Sequence, residues 1–572
     1  MSGGHGRGRL LAFALSVGAA AQLAPLYWHG TLHHGGYTAN EDERYYAALL
    51  RHAAQGPLDQ PNPFDRERSG AAPTTGRLLP LAVAVPARLR VVPSGFWMDL
   101  SRWLASSASA ALCVRLGAAA ASPALGAAAA VLVLLDPGTY YAKPLVALAG
   151  IGAPAPDDPQ PLFYSRLGTP SYTMPLFLLT LLGLMGRARG RRARTRTALA
   201  IGLVGASGHV FTWTSAGAAA AAGALWPPPR WRRLALPVAA GLALLLALVW
   251  LGGRGEREVA FEDLMLRLGC FRTRRPQLLT HSGFWAGAAA AAALAVAPLR
   301  IRPGARRLGA AMLGVWALAL LHTPLTGWDI QSFHFAYALG PLSILCWCVL
   351  VWHGWRRLGR PRAPMAAGAL AVAVVTFAGP FWALRGLGNA VAEGQPGPEL
   401  RAALANGAIP DGAVVLVPAA WRADLAARYR GVSFAASLQA HFAVPDSLLW
   451  ARTVCGSVLA GEDSAEVRRI ALKPRPGRIP HWPYGRPSGV PLTGIRSYFE
   501  IFPVLADSLG AAVADAARRP ERLRAACGAR PDFVLAAGWP RIGRALRAAA
   551  QLGGRVRRTA PDGNWAWLEL PR

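Results

Sequence analysis

Lysine is almost absent from this chain, and its scarcity bears on what the chain can bind. Only Lys143 and Lys473 are lysines among 61 basic residues, so the net charge of +31 depends on arginine. A surface that binds nucleic-acid phosphates usually draws on both residue types, whereas this bias is typical of GC-rich codon usage. We therefore expect no nucleic-acid partner.

Charge of either sign is also scarce. Charged residues make up 16% of the 572 residues and hydrophobic residues 53%, with a mean hydropathy of +0.27. A soluble chain of this length would carry more charge and would not repeat uncharged spans of about 20 residues. The composition predicts an α-helical polytopic membrane protein.

Apolar spans recur along the first two thirds of the sequence. They cover 10–28, 94–117, 119–136, 172–187, 197–225, 234–252, 281–299, 307–322, 335–355 and 364–384. The first could pass for a signal peptide, but the many later spans favour an uncleaved helix. Counting 197–225 as two passes gives about 11 transmembrane helices.

Arginine clusters separate several of these spans, at 187–196, 230–233, 300–307 and 356–362. Such clusters in short loops mark the cytoplasmic side, where they also contact anionic membrane lipids. Two of them flank 197–225, which favours two passes or a re-entrant pair there. This assignment predicts a cytoplasmic N-terminus. We expect the membrane to be a bacterial inner membrane. Loops 28–93, 137–171, 253–280 and 323–334 then face outward.

The hydrophobic pattern ends near Trp382, and a Gly/Pro-rich linker follows at 386–398. We expect a transmembrane domain over 1–386 and a small extracytoplasmic α/β domain over 387–572. Short buried strands are predicted at 412–418 and 532–537, helices at 419–430 and 540–552, and a hairpin at 555–570. The turn Asp562-Gly563-Asn564 lies inside that hairpin.

The six cysteines show no metal-binding spacing, and no HExxH, P-loop, dinucleotide or nucleophile-elbow motif occurs. We therefore predict no Cys/His metal site. Cys113, Cys346 and Cys348 lie in apolar spans and are expected to fill the core. Cys455 and Cys527 can form a disulfide outside the cytoplasm, although the sequence does not settle their pairing.

Three adjacent acids, Glu41-Asp42-Glu43, follow the first span. Thr38 and Glu41 fit a capping box, so the acids can simply complement a helix macrodipole. Alternatively, Asp42 shares a helix face with Tyr46 and Leu49 and points toward the membrane body. A carboxylate on an apolar surface suits a general base. Both interpretations remain open at this stage.

Asp42-Glu43-x-x-Tyr46, in the first outer loop, resembles the acidic signature of GT-C-type glycosyltransferases. Segments 62–64 and 326–335 resemble parts of related membrane proteins, whereas no WWDYG-type motif of oligosaccharyltransferases occurs. The resemblance implies inverting transfer from a polyprenyl-phosphate-linked sugar to a hydroxyl. It also implies Asp42 as base, Glu43 as the group that orients the acceptor or a divalent cation, and Glu41 and Tyr46 as substrate contacts.

A lipid-phosphate donor requires cations at the outer interface, and Arg272, Arg274 and Arg275 precede a span there. Ordinary interfacial anchoring explains these arginines equally well. His334 can contact substrate or serve as a helix cap. A second class of function remains open, namely a non-catalytic transporter or an assembly factor for envelope polysaccharide.

Overall fold

The computed structural model separates into two packed regions, each with its own cluster of buried side chains. The first is a helix bundle and the second a C-terminal α/β module. The structure describes residues 8–21, 41–56, 78–92, 94–134, 171–185, 191–226, 231–252, 267, 270–274, 282–296, 301–330, 332–357, 410, 413–417, 432–433, 444–472, 498–528, 531–538, 541–560 and 562–571.

The bundle follows the predicted spans closely. Its helices are α1 (Gly8–Ala21), α2 (Glu41–Gln55), α3 (Leu78–Arg88), α4 (Ser94–Ala120), α5 (Pro123–Leu134), α6 (Thr173–Met185), α7 (Arg191–Gly202), α8 (Val210–Leu225), α9 (Trp231–Gly252), α10 (Ser282–Val296), α11 (Pro303–Thr326) and α12 (Ala336–Arg357). The predicted span 364–384 and the linker 386–398 lie outside the described residues. The count of 11 spans and the boundary at 386 therefore stay predictions.

The long apolar segment 197–225 is divided into two antiparallel helices. The Thr180 hydroxyl of α6 donates to the Ala200 carbonyl at 2.8 Å, and Thr197 donates to the Gly183 carbonyl at 3.1 Å. Gly223, near the end of α8, returns to Leu184 of α6. A 3-10 turn at Leu203–Ser207 and Gly208 at φ 62 make the reversal. The segment therefore forms a pair of helices, and the expectation that each passes through the membrane stays a prediction.

Contacts between helix ends place the described arginine clusters on one side of the bundle. The Arg302 guanidinium donates to the Ala118 carbonyl at 3.1 Å, and Arg307 donates to the Leu184 carbonyl at 2.9 Å. Trp226 donates to the Ala295 carbonyl at 3.0 Å on the same side. We call this side the arginine end. We call the opposite side the loop end. Helices α2 and α3 lie there, as does the loop that follows α11.

Four of the described helices are long and apolar enough to cross a bilayer, and several shorter apolar helices accompany them. The long ones are Phe96–Ala120, Leu234–Leu251, Pro303–Thr326 and Ala336–Arg357. Helices of this length and composition are stable in hydrocarbon because their backbone hydrogen bonds are satisfied internally. The chain is a multi-pass membrane protein.

Small residues let the helices approach closely. A side chain at Gly117 of α4 would collide with the backbone of Gly126 on α5, and a side chain at Gly126 would collide with Cys113 and Val114. Such contacts replace the hydrophobic driving force that helices lack in lipid. The many alanines and glycines of the spans therefore have a packing role.

The C-terminal module combines a mixed sheet with helices. Two short strands, β1 (Phe271–Arg272) and β2 (Trp328–Asp329), precede the module in the chain. The strands of the module are β3 (Val414–Leu416), β4 (Val432–Ser433), β5 (Phe533–Ala537), β6 (Arg555–Thr559) and β7 (Trp565–Glu569), in the order β4-β3-β5-β7-β6. Its helices are α13 (Asp446–Leu459), α14 (Ser464–Leu472), α15 (Tyr498–Arg518), α16 (Pro520–Ala526) and α17 (Arg541–Gln551). The α/β fold, both predicted strands, the hairpin and the helix at 540–552 are confirmed. The predicted helix at 419–430 lies outside the described residues.

A disulfide crosses the helical layer of this module. Cys455 of α13 is bonded to Cys527, which follows α16 and is 72 residues distant in sequence. Both residues are buried. The sequence left this pairing open, and the structure confirms it.

We expect the disulfide to stabilise the C-terminal module. Removing a native disulfide typically costs about 2–5 kcal/mol, more for long loops. Reduction, or Cys455→Ser, should make residues 444–528 cleavable at lower protease concentration in limited proteolysis of the full chain. Cys348→Ser, which removes a free thiol, is the control. A non-reducing peptide map without a cross-linked pair would show the assignment to be wrong.

Candidate functional site

The acidic motif occupies the first turn of α2. This helix begins at Glu41, so Asp42 and Glu43 lie in its N-terminal turn. Their side chains, and the predicted cap Thr38, lie outside the part of the chain that the structure describes. The backbone position alone fits both earlier interpretations, a helix cap and a base at the N-terminus.

The apolar face of α2 holds the helix against the bundle. Leu50 is buried with Tyr172, which directly precedes α6, and Tyr46 packs against the same cluster together with Met98 and Ala105 of α4. The buried positions on this helix include 48, 49, 50 and 53, so the predicted inward face through Tyr46 and Leu49 is confirmed. Tyr46 has a packing role here, and by helical spacing position 42 lies one turn before it.

Hydrogen bonds fix the two short helices α2 and α3 on the end of α4. The Ser101 hydroxyl lies 2.8 Å from the Tyr172 hydroxyl. The Trp97 indole donates to the Val83 carbonyl of α3. Arg88, at the end of α3, donates to the Ala53 and Gly56 carbonyls at 2.9 and 3.0 Å. Arg88 thus caps the C-terminal end of the acidic helix, as a cation there should.

A buried arginine lies beneath the acidic helix. Arg102 of α4 is 2% exposed and falls between Met98 and Ala105 on the face that meets α2. A charged side chain in an apolar span is rare and usually functional. Sequence reasoning missed this residue, although an arginine inside the predicted span 94–117 was the available signal.

The predicted arginines precede α10 on a short antiparallel ladder. Strand β1 (Phe271–Arg272) pairs with β2 (Trp328–Asp329), and Arg272 opposes Trp328. The Arg272 guanidinium lies over the Trp328 ring, 5.3 Å from its centroid. Arg272 and Arg274 are exposed, and Arg275 lies outside the described residues. The ladder brings loops 253–280 and 323–334 together.

A buried acid lies under this ladder. Asp329 is 1% exposed, and its carboxylate lies 3.9 Å from Nε2 of His322 on α11. Gly327 at φ 74 ends α11, and the Thr326 hydroxyl donates to the His322 carbonyl at 2.6 Å. Cys270 is buried beside Asp329, and burial, with the Asp329 charge, raises the pKa of its thiol to about 12. This region of the loop end is closely packed.

His334 lies in a layer of aromatic rings at the reversal between α7 and α8. Its ring stacks on Phe211 at 4.7 Å and meets Tyr337 edge-on at 5.1 Å. The His209 ring stacks on Tyr337, and its Nδ1 shares a 2.8 Å hydrogen bond with the Thr212 hydroxyl. The half-buried position of His334 gives it a packing role as well as access to the loop end.

These parts share one end of the bundle. Helix α3, which packs on α2, also contacts the 3-10 turn at Leu203–Ser207 and α9. That turn leads directly to His209, whose ring lies 6.5 Å from the His334 ring. The aromatic layer therefore lies between the acidic helix and the arginine ladder. Within the described residues, no three His, Cys, Asp or Glu side chains converge on a metal position.

The ladder is also tied to the C-terminal module. Arg267, which precedes β1, is 2% exposed. Its Nε donates to the Asp446 carboxylate at 2.6 Å, and its terminal nitrogen donates to the Val444 carbonyl at 2.7 Å. Sequence reasoning missed this pair, because its members are 179 residues apart.

No protein-family profile and no curated protein matches the chain in sequence. Similar solved structures include GT-C-type glycosyltransferases. An archaeal oligosaccharyltransferase AglB from Archaeoglobus fulgidus, in complex with an inhibitory peptide and a dolichol-phosphate, has a TM-score of 0.47 and 12% identity, covering 98% of this chain and 74% of that chain. The arabinofuranosyltransferase AftD from Mycobacteria has a TM-score of 0.44 and 15% identity, covering 93% and 41%.

Arg88 should hold the acidic helix in place. Arg88→Met keeps the aliphatic stem but removes the bonds to Ala53 and Gly56, at a cost of about 0.5–1.5 kcal/mol per bond. Amide hydrogen exchange across 41–56 should therefore become faster. Arg90→Met, at an exposed neighbouring arginine, is the control. Equal exchange in wild type and Arg88→Met would mean that α2 is held by its apolar face alone.

Proposed function

We propose that this protein is a membrane glycosyltransferase that moves a sugar from a polyprenyl-phosphate carrier to an acceptor hydroxyl at the outer membrane face. One observation carries the proposal. Two exposed arginines, Arg272 on the ladder and Arg274 just after it, share the loop end with a helix whose first turn is rich in carboxylates. The resemblance of Asp42-Glu43-x-x-Tyr46 to the GT-C acidic signature supports the same chemistry.

Arg272 and Arg274 suit the phosphate of the donor. A guanidinium donates two parallel hydrogen bonds to phosphate oxygens, and the Trp328 ring limits the orientations of Arg272. Leu321 and Leu325 are exposed in the last turns of α11, the helix that leads into strand β2 of the ladder. They offer an apolar surface to an isoprenoid chain whose phosphate lies at Arg272.

Asp42 is the proposed base. It takes the proton from the acceptor hydroxyl as that oxygen attacks the anomeric carbon, and the carrier phosphate leaves with the bonding electrons. Glu43 orients the acceptor or a divalent cation, and Glu41 assists. Because the acceptor attacks directly, the anomeric configuration is inverted. Arg272 stabilises the phosphate charge as the bond breaks.

The loop end is proposed to lie on the outer, non-cytoplasmic side of a bacterial inner membrane. The described arginine clusters gather at the opposite end, as the positive-inside rule requires of cytoplasmic loops. The Cys455–Cys527 disulfide is typical of an oxidising compartment. Both observations support an outward position for the carboxylates and the ladder, the side on which the proposed reaction uses lipid-linked sugars.

Asp42→Asn should abolish transfer while leaving donor binding intact, since the amide is isosteric but cannot take a proton. We expect turnover to fall by at least about 100-fold, the typical contribution of a general base. The measurement is transfer from a panel of polyprenyl-phosphate sugars by the protein in lipid nanodiscs. Asp507→Asn, at an exposed carboxylate of the C-terminal module, is the matched control. Turnover of Asp42→Asn at the wild-type rate would remove Asp42 as the base.

Arg272→Gln should weaken binding of farnesyl phosphate, a water-soluble polyprenyl phosphate. Loss of one charged hydrogen-bonding group lowers affinity by about tenfold. Arg272→Lys keeps the charge without the fork and should fall between, and Arg274→Gln should act in the same direction. Arg518→Gln, at an exposed arginine of α15, is the control. Unchanged affinity in Arg272→Gln would sink the assignment of the ladder to the donor phosphate.

A further inference from the structure

The salt bridge of Arg267 connects two regions that are far apart in sequence. Arg267 belongs to the loop that leads into β1, whereas Asp446 begins α13 of the C-terminal module. The Arg267 side chain is 1% exposed and that of Asp446 11%. A guanidinium buried to this extent requires its counter-charge, because desolvation of an unpaired ion is strongly unfavourable.

The C-terminal side of this contact is rigid. Asp446 lies in the first turn of α13, where a carboxylate complements the helix dipole. The same helix carries Cys455, whose disulfide to Cys527 joins it to α16. The Val444 carbonyl, on a fully buried residue, accepts a second bond from Arg267. Arg267 therefore binds a fixed position of the module.

The Arg267 side of the contact leads directly to strand β1, which carries Arg272. Cys270, three residues after Arg267, is 4% exposed and lies beside Asp329. Phe271 and Arg272 follow at once as β1. The position of Arg272 is thus set from two directions, by the ladder to β2 on one side and by the Arg267–Asp446 bridge on the other.

We propose that Arg267 is a positioning residue for the donor-phosphate site, through which the C-terminal module holds the Arg272 strand in its binding position. This inference rests on the proposed function for the identity of the ligand at Arg272. It adds that the module is part of the donor site, and that breaking the Arg267–Asp446 bridge lowers the affinity for the phosphate.

Cys270 gives a readout of the bridge that does not depend on activity. Its thiol is buried and its pKa is raised to about 12 by burial, so a maleimide should modify it very slowly in the wild type. Arg267→Gln should release the segment and speed modification by at least about tenfold, since local opening governs access. The rate is measured by mass spectrometry of the Cys270 peptide in the full-length protein in nanodiscs.

Two controls separate the bridge from general damage. Arg468→Gln breaks an exposed pair with Asp507, whose members are 54% and 56% exposed, and should leave the Cys270 rate unchanged. Unchanged resistance of residues 444–528 to limited proteolysis in every variant reports that the module is folded. Arg267→Lys, which keeps the charge, should restore most of the protection and serves where Arg267→Gln does not fold.

A double-mutant cycle tests whether the two partners act together. Asp446→Asn alone should speed Cys270 modification, and combining it with Arg267→Gln should add little beyond Arg267→Gln alone. Additive effects of the two changes would overturn the pairing. So would a Cys270 rate in Arg267→Gln equal to that of the wild type.

The link to the donor is tested with farnesyl phosphate. Arg267→Gln should raise its Kd by about tenfold, and once turnover is measurable should raise the donor KM while leaving kcat nearly unchanged. Faster Cys270 modification with unchanged affinity would overturn the positioning role. If the wild type does not bind farnesyl phosphate, the proposed function fails, while the Cys270 rates still decide whether the bridge holds the strand.

Discussion

The low dielectric of the bundle interior excludes unpaired charge, and this constraint sorts the functional groups of the chain to its two ends. Arg302 and Arg307 donate to helix carbonyls at one end. The acidic turn of α2 and the arginine ladder lie at the other. Buried charges such as Arg102 occur near the loop end, where water and polar groups are within reach. A site for a charged lipid headgroup can form only at such an end.

Contacts at the loop end restrict the conformations of Arg272 and the position of helix α2. An exposed arginine has many rotamers, and ordering it on binding lowers affinity. Here the Trp328 ring covers one face of Arg272, while Asp329 and His322 hold the strand beneath it. On the acidic side, Leu50 and the cap from Arg88 hold α2. Most of the order is therefore established before a ligand arrives.

Much of this arrangement could be predicted from sequence because hydropathy and charge are local signals. The spans, the division of 197–225 and the hairpin at 555–570 follow from composition within short windows. The inward face of α2 through Tyr46 and Leu49 follows from the same local spacing, whereas its partner Tyr172 does not, because the two are far apart in sequence. The bridge from Arg267 to Asp446 could not be predicted, because no local pattern reveals which distant residue a buried charge will pair with.

That bridge has a thermodynamic consequence for a two-part site. If the C-terminal module holds the strand that binds the donor phosphate, then donor binding must in turn stabilise the docking of the module by the same factor, because coupling between two binding equilibria is reciprocal. Arg267, which forms the buried bridge, and Arg272, which carries the exposed guanidinium, are five residues apart in sequence. Under that proposal, a partner that binds the module near α13 and favours its docked position would also favour donor binding, and the donor would favour that partner by the same factor.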